Sequence, residues 1–240
     1  MLLNEGVWTT LYFLLYVIGY DRLLLVFHGI LSELSSKFNN YDNARKVYIA
    51  TNVAKSLVLN IISFTFLRAI INTPYEVIYP SSHISIGNRM AFKNMTAIYA
   101  CTDLVSLVRS TNMARSTKIH HYGVVVAFFI VAFSDFNYNS LSKAVCIYGG
   151  FSSFAAVVNL YLGGRFLASK DSQLFKYIKR LSLASYILSC FGNFSWQVIY
   201  MFSAYRELTA LVFFKFLAHT LLLSVWVQDD IKLIRHLGNL

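Results

Sequence analysis

Seven apolar segments, each long enough to cross a lipid bilayer as a helix, constrain this sequence more than any other feature. They occupy residues 7–31, 48–71, 91–109, 119–136, 143–163, 181–202 and 208–227. Their apolar residues surround the helix axis instead of alternating with a period of two, which is typical of transmembrane helices. We therefore expect an all-α polytopic membrane protein with about seven transmembrane helices.

The composition excludes several classes of protein. Charged residues make up only 13% of the chain, whereas a soluble globular domain carries about 25%. The formal net charge is +10, but the basic residues lie between the apolar segments and form no stripe for nucleic acid. We therefore expect no nucleic-acid partner. Because the segments leave only short loops, any chemistry must occur in or against the membrane.

The basic loop residues predict the orientation of the chain. With seven crossings, one face holds Lys37, Arg45, Lys46, Arg109, Arg115, Lys118, Arg165, Lys170, Lys176, Lys179, Arg180, Lys232 and Arg235. The opposite face holds Arg68, Arg89, Lys143 and Arg206. Since basic loops stay on the cytosolic side, we expect a lumenal N-terminus and a cytosolic C-terminus.

The predicted organisation has three parts. Residues 1–41 form the first span and a cytosolic loop, residues 42–230 form the main membrane domain, and residues 231–240 form a short cytosolic tail. The first span lacks a basic start and a small-residue cleavage site, so we expect it to be retained. Asp21 and Arg22 interrupt it. They could pair with each other or extend to the interface, or the span could end early, with residues 23–31 lying along the interface.

Polar side chains within the apolar segments are candidate functional groups, because charge in hydrocarbon is unfavourable. Measured from the segment ends, Lys55 lies about 10 Å, Asp103 about 9 Å and His219 about 12 Å from the cytosolic face. These depths predict a polar cavity that opens to the cytosolic leaflet. Its predicted residues are Lys55, Asp103, His120, His121, Asn159, Lys215 and His219. Polar groups inside a helix bundle can also have a purely structural role, in which they form hydrogen bonds between helices. We favour this interpretation for the asparagines. Lys93, near the lumenal end, is expected to extend to the interface.

The adjacent histidines His120 and His121 are the strongest candidates for chemistry. Neighbouring helical residues point about 100° apart, so the two rings occupy different positions. A histidine oriented by a carboxylate such as Asp103 can act as a general base or nucleophile. The sequence has no H-E-x-x-H motif and no nucleotide-binding glycine motif, so we expect neither a metal nor a bound cofactor.

The residues around these candidates resemble the centre of the TLC domain. Asp103 lies in the stretch 99–108, and His120-His121 follow 17 residues later in the stretch 118–126. Supporting stretches are residues 52–56, 148–154 and 159–165, and the resemblance covers about residues 42–230. The TLC family includes the translocating-chain-associated membrane protein and the ceramide synthases.

This resemblance implies about six helices in a barrel around a lipid cavity, in an endoplasmic-reticulum-type membrane. It also implies acyl transfer at His120, His121 and Asp103, with acyl-CoA as co-substrate and membrane lipids as partners. The His-Asp pair that ceramide synthases carry on the following span is missing, since residues 145–150 read Val-Cys-Ile-Tyr-Gly-Gly. The chain therefore looks closer to the small TLC-domain-containing proteins, whose roles concern membrane lipid composition.

Three functional hypotheses remain after the sequence is considered. The first is an enzyme of sphingolipid or phospholipid remodelling, and the second is a non-catalytic lipid-binding, lipid-sensing or trafficking protein that uses the same cavity. A channel or transporter is the third, suggested by the intramembrane lysines. It is weakened because no inverted repeat or broken-helix pair is evident. We favour lipid metabolism slightly, because a histidine pair beside a buried carboxylate exceeds what a passive cavity requires.

Overall fold

The computed structural model describes residues 2–79, 82–136, 140–169, 172–205 and 209–239. Within them the chain forms ten helices and no strand, which confirms the all-α prediction. The helices are α1 (Leu2–Leu34), α2 (Ser36–Asn39), α3 (Asn43–Asn72), α4 (Pro74–Ile78), α5 (Ile86–Arg109), α6 (Arg115–Phe133), α7 (Leu141–Ser153), α8 (Ala156–Gly164), α9 (Gln173–Ala204) and α10 (Ala210–Asn239). Two basic loop residues used above, Lys170 and Arg206, and the first residue of the segment 208–227 lie outside the described residues.

Four helices of the described chain are long and apolar enough to cross a membrane, and they lie at Leu3–Leu34, Asn43–Asn72, Arg115–Phe133 and Ala210–Asn239. Helices α7 and α8 meet at a bend of 47° and would add a fifth span if they cross together. Helices α5 and α9 coincide with the other two predicted segments, at 24 and 32 residues, but are less apolar. The protein is therefore helical and membrane-embedded, with four to five candidate spans.

Polar side chains define where several helices begin. The carboxylate of Asp42 accepts a hydrogen bond from the Arg45 N–H and caps α3, and the Ser172 hydroxyl caps α9 in the same way. The bend between α7 and α8 follows a glycine and serine cluster at residues 149–153, a composition that favours helix breaks. At this cluster the Ser153 hydroxyl donates to the Gly150 carbonyl at 2.6 Å.

Two glycines allow close helix packing in the core. A Cβ at Gly150 would lie 2.4 Å from the Phe66 ring, so the absence of a side chain at Gly150 lets α7 pack directly against this ring of α3. A Cβ at Gly163 would lie 3.0 Å from the Ile49 carbonyl oxygen, which brings α8 close to the α3 backbone. These contacts fix α3 and α8 as neighbouring walls of the cavity described below.

The loop between α4 and α5 is held by polar contacts. The Glu76 carboxylate accepts hydrogen bonds from the Ser85 N–H at 2.9 Å and from Asn88 Nδ2 at 2.8 Å. Burial raises the pKa of Glu76, but these hydrogen bonds outweigh burial and hold the pKa below its usual value. Lys143 at the start of α7 donates to the Tyr79 carbonyl at 2.9 Å. The end of α4 is therefore fixed against both α5 and α7.

Helix α1 continues unbroken through Asp21 and Arg22, so the helix does not end before residue 23. The partner of Asp21 is Arg109, at the end of α5, whose Nε and Nη2 atoms each lie 2.7 Å from a carboxylate oxygen. Asp21 therefore pairs with a residue 88 positions away, which the sequence-based alternatives did not include. This pair fastens α1 to α5.

A second ion-pair network surrounds Lys93. This side chain is fully buried, and its ammonium group lies 3.3 Å from Glu5 Oε2 and donates to the Ala132 carbonyl at 3.0 Å. Arg89 Nη2 lies 2.8 Å from the other oxygen of Glu5. We refer to Glu5, Arg89 and Lys93 as the arginine–lysine cluster, which joins α1 to α5.

Candidate functional site

Three helices bring charged side chains together around Asp103, whose side chain on α5 is completely buried. The Lys55 ammonium group on α3 contacts Asp103 Oδ1, and His121 Nδ1 on α6 lies 2.9 Å from the same oxygen. Asp103 Oδ2, in contrast, has no hydrogen-bond partner among the described residues. Of the residues predicted to share a cavity, Asp103, Lys55 and His121 are therefore in direct contact in the structure.

His120 meets a different carboxylate. Its Nδ1 atom lies 3.6 Å from Asp229 Oδ2 on α10. The two histidine rings are nearly perpendicular, at 86°, and their centroids are 5.6 Å apart, as adjacent positions on a helix require. We refer to Lys55, Asp103, His120, His121 and Asp229 as the histidine site.

The histidine site opens into a cavity of about 550 Å³, a volume within the usual range for small-molecule sites. Lys55, His120, His121 and Asp229 line this cavity together with Asn159 of α8. The Asn159 amide donates to the Ala155 carbonyl, four residues earlier in the chain. The structure thus places four of the seven predicted cavity residues on the cavity wall, with Asp103 directly behind it.

Lys215 and His219 do not line the cavity. His219 is buried elsewhere, where its Nε2 lies 2.9 Å from Gln197 Oε1 and its Nδ1 lies 3.3 Å from the Tyr205 hydroxyl. The predicted depth of His219 assumed that the last span ends at residue 227. Helix α10 instead continues to Asn239, so the level of the site on α10 is at Asp229, about 15 Å further along the helix.

The sequence reasoning missed Asp229 and Asp230 for the same reason. Asp230 is almost fully buried and accepts hydrogen bonds from the hydroxyl groups of Tyr148, at 2.8 Å, and Tyr186, at 2.6 Å. The available signal was a pair of adjacent acidic residues within a chain that has only 11 Asp and Glu residues in total. Extending the last helix through this pair would have placed it in the cavity.

In both rings Nδ1 lies near a carboxylate oxygen, at 2.9 Å in His121 and 3.6 Å in His120, although neither atom makes a hydrogen bond among the described residues. A neutral imidazole with its proton on Nδ1 keeps a lone pair on Nε2. The carboxylate therefore sets the tautomer and the orientation, and Nε2 is left to exchange protons with a bound molecule. This arrangement is suited to general acid–base chemistry.

Asp103, His120 and His121 also form a group whose possible metal-ligand atoms lie within 4.8 Å of one another. A carboxylate and two imidazoles would suit a zinc ion. The Lys55 ammonium group, however, already neutralises Asp103 and would repel a second cation at this position. The residues present therefore fit proton transfer better than metal binding.

Comparisons of this chain with protein-family models, with curated proteins and with solved structures found no match.

Proposed function

We propose that this protein transfers an acyl group from a thioester such as acyl-CoA to a membrane lipid acceptor. The observation that carries the proposal is the histidine pair, in which each ring faces a carboxylate through Nδ1 and borders a cavity of about 550 Å³. Acyl transfer requires that a proton leave the acceptor and that a proton reach the departing thiolate. Two adjacent histidines supply groups for both events.

Lys55 supports this chemistry by keeping Asp103 ionised. A fully buried carboxylate without a partner would favour its protonated form, which could not stabilise an imidazolium. With Lys55 on the same oxygen that faces His121, Asp103 stays charged and holds the ring in one tautomer. The role of Asp103 is therefore to position His121.

Non-catalytic lipid binding is the second candidate, and one observation favours it. Lys55, Asp103 and His121 come from three different helices, so their contacts would hold the cavity walls together even if no reaction occurred. In that case the protein would retain lipid in the cavity without turning it over.

We also propose that the chain crosses the membrane seven times in a TLC-like arrangement, with the N-terminus in the lumen of an endoplasmic-reticulum-type membrane. Helices α5 and α9 support this count, because they extend about 36 Å and about 48 Å, which exceeds the hydrocarbon thickness. The excess of basic loop residues on one face supports the orientation.

The test uses the full chain in nanodiscs with a fluorescent long-chain acyl-CoA and two acceptors, a long-chain amine and a lysophospholipid. We expect the wild type to form an acylated product and His121→Gln to form it about 10²- to 10⁴-fold more slowly. His83→Gln is the matched control, because His83 is exposed and lies outside the cavity. Mass spectrometry of the intact protein would detect a covalent acyl-histidine if a ring acts as nucleophile.

A wild type that forms no product with either acceptor would contradict acyl transfer to these acceptors. If that preparation carries co-purified lipid, and if the cavity substitution Asn159→Trp reduces the amount, the lipid-binding candidate would be favoured.

A further inference from the structure

Asp229 has no role in the reaction as described so far, although it is the carboxylate that faces the second histidine. We infer that Asp229 positions His120 as the base that removes the acceptor proton, while His121 gives a proton to the departing thiolate. This inference rests on the proposed acyl transfer and assigns a separate task to each ring.

Asp229 makes two contacts with α6. Its Oδ2 atom lies 3.6 Å from His120 Nδ1, and its Oδ1 atom accepts a hydrogen bond of 3.4 Å from the Thr117 hydroxyl. Thr117 precedes His120 by three residues, so both contacts lie on one face of α6. The carboxylate is thus placed beside the ring that it would orient.

The neighbouring residue fixes the position of α10 at this level. Both carboxylate oxygens of Asp230 are bound, one by the Tyr148 hydroxyl of α7 and the other by the Tyr186 hydroxyl of α9. These two hydrogen bonds limit sliding and rotation of α10. Asp229, one residue earlier, therefore stays directed at His120.

The charges around the two rings differ, which assigns their roles. His121 is 2.9 Å from a carboxylate that is fully shielded from solvent, whereas His120 is 3.6 Å from one whose side chain is 17% exposed. His121 therefore has the closer contact with a carboxylate, and we assign to it the proton that the departing thiolate takes up. His120, whose contact with a carboxylate is longer, is assigned the role of base through Nε2.

His120 Nε2 takes the proton from the amine or hydroxyl group of the acceptor while that nitrogen or oxygen bonds to the thioester carbonyl carbon. The carbon–sulfur bond breaks, its electron pair stays on sulfur, and His121 Nε2–H protonates the sulfur. His120 is left protonated and His121 neutral, and transfer of one proton between the two rings through water restores the starting state.

The pairing is tested without substrate by ¹⁵N NMR of histidine-labelled full-length protein in nanodiscs, with the His120 signals assigned from His120→Gln. In the wild type we expect the neutral His120 ring to carry its proton on Nδ1. Asp229→Ala should shift that proton to Nε2, Asp229→Glu should restore it to Nδ1, and Asp21→Asn should leave it unchanged. A His120 tautomer that is the same in the wild type and in Asp229→Ala would overturn the inference.

The division of tasks is tested with two thioesters of the same acyl chain, one of CoA and one of thiophenol, whose thiolate leaves without needing a proton. We expect His121→Gln to lower the rate of acyl transfer about 10²-fold or more with the CoA ester. With the thiophenol ester the same variant should lower the rate much less. His120→Gln should lower the transfer rate by the same factor with both esters. Asp229→Ala should also lower the rate equally with both esters, by at least about tenfold. Losses from Asp229→Ala that shrink with the thiophenol ester would overturn this division. If the wild type transfers no acyl group, the proposed function fails, whereas the NMR result still decides the pairing.

Discussion

The histidine site and the arginine–lysine cluster both bury charge, and they differ in how the central carboxylate is used. In the cluster both oxygens of Glu5 are engaged, one by Arg89 and the other by Lys93. In the histidine site both partners of Asp103 contact Oδ1, and Oδ2 has no hydrogen-bond partner among the described residues. In the cluster the buried atom without a hydrogen-bond partner among the described residues is Arg89 Nε, which belongs to the cation and not to the carboxylate.

The surroundings of the two sites differ as well. None of the cluster residues lines the cavity, whereas Lys55 and both histidines of the histidine site do. The cluster joins α1 to α5, and the histidine site joins α3, α5, α6 and α10 around open space. Buried charge therefore has a fastening role in one region and is available to a ligand in the other.

The largest expected effect comes from separating the partners at the histidine site. Asp103→Ala leaves the Lys55 ammonium group, whose side chain is only 12% exposed, without its counter-ion. We expect a loss of about 3–5 kcal/mol in the free energy of unfolding. The double variant Lys55→Met, Asp103→Leu should recover most of that loss and still form no acylated product. Denaturant unfolding in mixed micelles measures the first effect, and a double variant as unstable as the single one would contradict it.

An intermediate effect tests why the histidine site favours a lysine over a metal ion. In Lys55→Met, the carboxylate of Asp103 becomes available beside two imidazoles. We expect Zn²⁺ at 100 times its dissociation constant to raise the unfolding free energy of this variant by about 2.7 kcal/mol. The same zinc concentration should leave the wild type unchanged, and His121→Gln in the variant background should abolish the gain. An equal gain in the wild type would show that Lys55 does not exclude the metal.

The smallest expected effect separates the cluster from the chemistry. Glu5→Gln removes the charge that neutralises Arg89 and Lys93, but Lys93 keeps its bond to the Ala132 carbonyl. We expect a loss of about 2 kcal/mol in unfolding free energy and an unchanged rate of acyl transfer per folded molecule. Glu33→Gln, an exposed residue on the same helix, is the control for stability. A rate that falls with Glu5→Gln would mean that the two regions are coupled.

The sequence predicted the centre of the histidine site because Asp103, His120 and His121 are polar residues in strongly apolar segments. Their depths could be estimated from the segment ends, and helix geometry required that the two rings diverge. The helical character of the chain followed from the same apolar segments.

The sequence did not indicate partners that depend on the arrangement of distant helices. Asp21 pairs with Arg109 and Lys93 pairs with Glu5, each 88 residues away, and no local pattern indicates such a pairing. His219 was misplaced because the last predicted span ends at residue 227, whereas α10 continues to Asn239. A helix that bears charge on its cavity-facing side looks, in sequence, like a helix that has left the membrane.

The two histidine–carboxylate pairs lie in different helix–helix interfaces, and this affects when each pair can form while a lipid enters. His121 and Asp103 meet across α6 and α5, whereas His120 and Asp229 meet across α6 and α10. Any lipid that arrives sideways by parting α6 from α10 must lengthen the distance from His120 to Asp229. The base would then be assembled only after this interface has closed again, so a half-inserted lipid would meet an inactive ring.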